Sequence, residues 1–254
     1  QQVQDFIAAD PLVSHRLALG LAWAAAHCTQ AVTVYLGHGM GGGAELDLAR
    51  RVAASVEQCG AAVVIRVGQT LRWQIEMHST GGVTRGTTDD VALLCRLMDL
   101  IPDRRIVYSC GVGDCDPFSL PDVLLKIATD GGLEMLFHDY LPLSPSYTLL
   151  ARDGLFHGVP PADSTDPAHT ARRPNGERVS LAAWRHAWAR LMRAADHIEV
   201  FSENSRSIVA TAFPECAEKI EMRPHALLHP VPSAQKPRPE ASPVIGILGN
   251  SGAH

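Results

Sequence analysis

Short runs of β-branched and aliphatic residues alternate along this chain with longer stretches whose apolar residues recur every three or four positions, and that alternation leaves few folds open. Strands separated by helices become neighbours through crossover connections, so the pattern predicts an α/β protein: a Rossmann-like, mostly parallel sheet with helices on both faces. AVTVYLG (31–37), AAVVIRV (61–67), RIVYSC (105–110) and LEMLF (133–137) read as buried strands, and parallel strands covered on both sides show no polar face. LRWQIEMH (71–78) alternates Leu71, Trp73, Ile75 and Met77 and is expected to be a half-exposed strand. AELDLARRVAASVEQ (44–58) sets Leu48, Val52 and Val56 on one helical stripe, with Leu46, Ala49 and Ala53 beside them. Further helices are expected over 12–26, 91–100 (capped by Thr88 or Asp89 and ended by Pro102), 120–129 and 180–195. HIEVFS, ENSRSIVATAF and KIEMR then add a strand, a helix and a strand. From Leu141 to Arg178 periodicity disappears, and a connection of that length is usually functional or disordered.

The 254 residues are 46% hydrophobic, which is ample material for a core and excludes a disordered chain. Their 22 basic and 27 acidic residues give a net charge of -5, so no nucleic-acid partner held by bulk positive charge is expected. No charge occurs between Arg16 and Glu45, a gap long enough to span a bilayer. His27, Cys28, Thr29 and Gln30 interrupt it, and the glycine-rich stretch 37–43 exposes backbone that hydrocarbon could not satisfy. Asp5 and Asp10 stand where an export signal carries positive charge. The six cysteines lack paired spacing, so neither a disulfide framework nor a zinc site is indicated and cytoplasmic thiols are expected. The run PVIGILGN before His254 reads as the opening of a second unit, and the chain is taken for an excised piece.

Several clusters have the chemistry of a site. Gly37-His38-Gly39-Met40-Gly41-Gly42-Gly43 lies between a strand and a helix, where free N–H groups and the helix dipole favour a phosphate. Gly37, Gly39 and Gly42 also fit the dinucleotide spacing G-x-G-x-x-G. That motif expects a carboxylate at the end of the second strand, whereas Arg66 stands there, which suits NADP better than NAD. His138 and Asp139 fall at the carboxyl end of a buried strand, where a histidine can donate to a substrate oxygen and a carboxylate can take a proton. Asp114 and Asp116 match the short D-x-D of metal-dependent sugar-nucleotide enzymes, although a turn explains both, and no metal is expected. His169, Arg172 and Arg173 form a basic patch for an anionic acceptor or for solvent. Ser202 or Asn204 is the expected cap of the late helix.

The order of these motifs resembles the bacterial glycosyltransferases of the group 1 or family 4 type: strand, GMGGGAE and helix, then LFHDYLPLSPSY, ADHIEVFSENSRSIV, KIEMRPHALLHPVP and VIGILGNSGAH. The resemblance implies one half of a two-domain GT-B enzyme, with an amino-terminal, acceptor-side domain over 1–229, a linker over 230–243 and the first strand of the missing donor-side domain over 244–254. It also implies that Gly41, Gly42 and Gly43 approach the diphosphate or sugar of a nucleotide-sugar donor, and that His138, with Asp139 beside it, lies near that sugar. Ser202 and Arg206 match the family's strand-and-helix segment, and Pro224 and His225 its crossing segment, with Ala226 where glycine is common. The implied reaction moves a sugar to a glycan or lipid-linked acceptor, with retention at the anomeric carbon and without a cofactor or metal. The protein would be cytoplasmic, with peripheral membrane association at most, and the isolated piece inactive. An NADP-dependent oxidoreductase using Gly37, Gly39 and Gly42, and a non-catalytic ligand-binding module, are the alternatives.

Overall fold

Among the residues described by the computed structural model, 11–225, the chain runs α1 (Pro11–His27), β1 (Val32–His38), α2 (Gly42–Cys59), β2 (Ala61–Val67), β3 (Trp73–Ser79) and β4 (Gly82–Thr88). It continues through α3 (Val91–Met98), β5 (Arg104–Tyr108), α4 (Leu120–Ile127), β6 (Leu133–Phe137), β7 (Ala171–Arg172) and β8 (Arg178–Val179). It then passes through α5 (Leu181–Ala194), β9 (His197–Val200), α6 (Glu203–Ala212) and β10 (Ile220–Met222). Ala226, the linker 230–243 and the strand expected at 244–254 lie outside the described residues. No helix among the described residues is long and apolar enough to cross a membrane.

Eight strands form one sheet in the order β10-β9-β6-β5-β1-β2-β3-β4, while β7 and β8 make a separate small ladder. Pairing is parallel from β10 to β2 and antiparallel from β2 to β4. β1 is flanked by β2 on one side and β5 on the other, so the direction of winding reverses between β1 and β5. Ligands of open α/β sheets bind at that reversal, beyond the carboxyl ends of the strands.

The two faces are covered unequally. On one face α1, α3, α4, α5 and α6 bury Leu21, Leu94, Leu124, Trp188 and Val209 against Val34, Ile65, Ile106, Met135 and Ile198. On the other face, among the described residues, α2 buries Leu48 and Val52 against Tyr35, Val64, Val107 and Leu136. Beyond the reach of α2, ion pairs cover the sheet in place of apolar side chains. Glu76, 2% exposed, is held by Arg66, His78 and Arg85. Burial pushes its carboxyl up, but those partners outweigh burial and hold it well below the usual range.

The strand β4 is absent from the sequence pattern because GVTRGTT has no apolar alternation, and as an edge strand it buries only Gly86 and Thr88. α3 takes Asp90 as its cap, in place of Thr88 or Asp89: the Asp90 carboxylate accepts from the Ala92 N–H at 2.7 Å. Thr88 instead accepts from the Asp90 N–H, and Asp89 from that of Arg72. On α2, Leu46 is exposed and Asp47 is buried. The long segment after β6 is ordered and docked on α5, with the Trp184 and Arg185 side chains donating to the Leu141 and Leu143 carbonyls.

Candidate functional site

β1 delivers the glycine loop to the carboxyl edge of the sheet at the winding reversal. Its glycines divide into two kinds. A Cβ on Gly37 would stand 2.5 Å from the Leu48 side chain, and one on Gly39 would stand 2.8 Å from Gln69, so these two allow strand, helix and loop to close together. A Cβ on Gly41, Gly42 or Gly43 would meet nothing within 4 Å. Gly41 and Gly42 have φ of 82° and 85°, a region that side chains rarely adopt. Gly41 occupies the cap position of α2 without a side-chain hydrogen bond. The 18-residue helix thus starts without a side-chain cap and with room beside its first glycines, and its dipole adds partial positive charge there.

The neighbouring loops lean against this one. The Met40 N–H donates to His38 Nδ1 at 3.0 Å, and burial pushes the His38 imidazole below its ordinary pKa. A Cβ on Gly68 would lie 3.2 Å from the Gly113 carbonyl, and one on Gly113 would lie 3.4 Å from Met40 Sδ. Strand alternation puts Ser109, just past β5, on the same face as Val107 and α2. Ser109 is 1% exposed, and its hydroxyl makes no hydrogen bond among the described residues.

His138 and Asp139 leave β6 on opposite faces. The His138 side chain is 4% exposed, stacks on Phe201 with ring centroids 4.5 Å apart, and brings Nε2 to 3.5 Å from Asp47 of α2. Asp47 is bound in turn by Arg50 and, at 2.7 Å, by Arg51, whose guanidinium also reaches Glu199. Burial pushes the Asp47 carboxyl up, but Arg51, His138 and Arg50 outweigh it and leave it below the usual range. A line of ion pairs therefore runs under α2 from Asp47, beside His138, through Arg51 to Glu199 of β9. The Asp139 carboxylate accepts from the Leu141 N–H at 2.8 Å and from the Cys110 thiol at 2.9 Å, and burial pushes its pKa up. The structure gathers His138 with Asp47 and α2, and turns Asp139 to the other side of the sheet.

Ser202 caps α6, accepting from the Ser205 N–H at 3.1 Å, and Ser205 is bonded to the Tyr140 hydroxyl. That bond ties the end of β6 to the start of α6. Arg206 is exposed and faces Glu203 at 3.7 Å. The two aspartates of the D-x-D are taken by arginines from two separate segments. Arg72 forks onto Asp114 at 3.0 and 2.8 Å, and Arg173 forks onto Asp116 at 3.2 and 2.9 Å, so neither carboxylate of the D-x-D is offered to a metal. Arg66 donates to the His38 carbonyl and to Glu45 and pairs with Glu76, which leaves it committed when a 2′-phosphate would need it. Glu134, His197 and Glu199 bring donor atoms within 4.8 Å of one another, yet Arg51, Arg105 and Arg223 face those carboxylates. In the long segment Ser144 and His169 are bonded at 2.8 Å, and this buried pair fastens the segment.

No family model, curated protein or solved structure matches this chain. The candidate site is therefore defined by geometry: the uncapped start of α2, Ser109 just past the strand beside it, and His138 within 3.5 Å of Asp47. Asp47 and Ser109 escape the sequence reading. Asp47 sits among apolar helix residues as one more charged side chain, and its partner His138 is 91 positions away. Ser109 has only one signal, a hydroxyl in the middle of a buried strand end.

Proposed function

We propose that this chain is the acceptor-side half of a glycosyltransferase that moves a sugar from a nucleotide-sugar to a glycan or lipid-linked acceptor. The supporting observation is that α2 begins uncapped on glycine at the winding reversal, with open space over Gly41, Gly42 and Gly43. Bare helix N–H groups suit the diphosphate or hydroxyl oxygens of such a donor, and they act where negative charge grows as the diphosphate departs. His138, its ring fixed by Asp47 and Phe201, supplies a hydrogen bond to the transferred sugar that strengthens as oxocarbenium character develops. Ser202 orders the neighbouring loop, and Arg206 offers an exposed cation at the same edge. The commitment of Arg66 to Glu45 and Glu76 weighs against the NADP alternative.

The test uses the full-length protein. Thermal shifts with UDP-, GDP- and dTDP-sugars are expected to exceed that with NADP, and stabilisation by NADP alone overturns the reading. His138→Ala is expected to lower sugar-transfer turnover by about 100-fold, the usual scale for one positioned polar group. Unchanged turnover removes His138 from the mechanism.

A further inference from the structure

At the amino edge of the sheet, opposite the site, two cysteines from distant segments share one junction. Cys28 follows α1, and its thiol donates to the carbonyl of Cys59 at 2.9 Å. Cys59 is the last residue of α2, and its own thiol reaches back to the Gln30 side chain at 3.6 Å, two positions beyond Cys28. Each sulfur therefore points at the other's segment, through two independent contacts. Both side chains are partly exposed and both cysteines are free thiols. Cys110 and Cys216 are buried in the core, and Cys115 is exposed near the carboxyl edge.

We propose that Cys28 and Cys59 are a reversible disulfide site that staples α1 to the end of α2 under oxidation by a low-molecular-weight disulfide such as oxidised glutathione. The thiolate of one cysteine attacks a glutathione sulfur, forming a mixed disulfide and releasing one glutathione thiolate. The second cysteine, after losing its proton, attacks the protein sulfur of that mixed disulfide and expels the second glutathione. Two thiols are oxidised and one disulfide is reduced, with no other reactant. The bond would close a loop whose ends are 31 positions apart. It would join helices from opposite faces of the sheet, so its effect falls on α1, which buries Leu17, Leu21 and Ala24 in the core.

The experiment equilibrates the whole chain with oxidised glutathione, blocks remaining thiols and digests with trypsin. The expected product joins the peptide Leu17–Arg50, whose single cysteine is Cys28, to Val52–Arg66, whose single cysteine is Cys59, two hydrogens lighter than the reduced pair. A rise in melting temperature of roughly 5 °C or more, reversed by reductant, should accompany it. In Cys28→Ser the reaction should stop with one glutathione on Cys59, and Cys115→Ser should leave the 28–59 link unchanged. Full alkylation of both cysteines after oxidation, or stable glutathione on both in the wild-type chain, overturns the proposal.

Discussion

The two edges of the sheet treat helix ends in opposite ways. At the amino edge, carbonyls left over at helix C-termini are met by the protein itself. Arg104, 3% exposed, donates to Met98 and Ile101 at the end of α3 and to Ile127 at the end of α4, all within 2.7 Å. Lys219 donates to Arg193 and Ala195 at the end of α5, and the Gly60 N–H closes α2 on Val56. At the carboxyl edge, Asp90, Ser180 and Ser202 cap their helices with side chains; α2 and α4 have no side-chain cap, but α4 carries Pro121, which has no N–H to satisfy, in its first turn, and only α2 among these five helices starts on a glycine. That contrast locates the site more narrowly than any one residue does.

The largest expected effect tests the closed edge. Arg104→Ala strands three buried carbonyls and should cost about 4 kcal/mol in urea unfolding, since bonds from a charged donor are worth about 1.5–3 kcal/mol each and are not additive. A loss below about 1 kcal/mol would show that water replaces the guanidinium and that the edge is not closed. Next come the two kinds of glycine. Gly37→Ala drives a methyl into buried Leu48 and should cost about 2 kcal/mol, the usual scale of overpacking. Gly43→Ala, in the first turn of α2 with space around it, should gain about 0.5 kcal/mol from helix propensity. Equal losses at the two positions would erase the distinction between packing glycines and site glycines.

The smallest effect concerns acid. Asp47 and Glu76 have carboxyls held below their ordinary range in the folded state. Such groups stabilise fully above the unfolded carboxylate pKa of about 4, and their contribution is lost as pH falls through the lower folded values. Urea midpoints should therefore fall as pH drops below about 4, and Asp47→Asn should flatten part of that fall. An unchanged acid profile in the variant would mean that the line of ion pairs beneath α2 adds nothing to stability.

Much of the fold can be read from the sequence because parallel strands and their helices carry their burial in local periodicity. β6 over Leu133–Phe137 and α5, expected over 180–195, follow directly from residue pattern, although Ser180 turns out to cap α5 from outside it. β4 does not, since an edge strand that buries a glycine and a threonine leaves no apolar trace. The candidate site was partly legible. Position in the chain identifies the glycine loop and His138, because both end buried strands. What each side chain faces depends on partners far away in sequence: Arg51 and Glu199 are separated by 148 positions, and Arg173 and Asp116 by 57. Spacing within a motif carries no record of such pairs, so Asp116 and Arg173 look like members of two functional clusters when they are the two halves of one structural contact.

Arg104 also sets a timetable. Two of its carbonyl partners lie three and six residues behind it, and the third lies 23 ahead. During synthesis the guanidinium can close α3 as soon as its own residue has emerged, but it stays one partner short until α4 has formed. One side chain thus converts a local helix stop into a long-range lock, and the sheet's amino edge is completed only when β5 has helices on both sides of it in the chain.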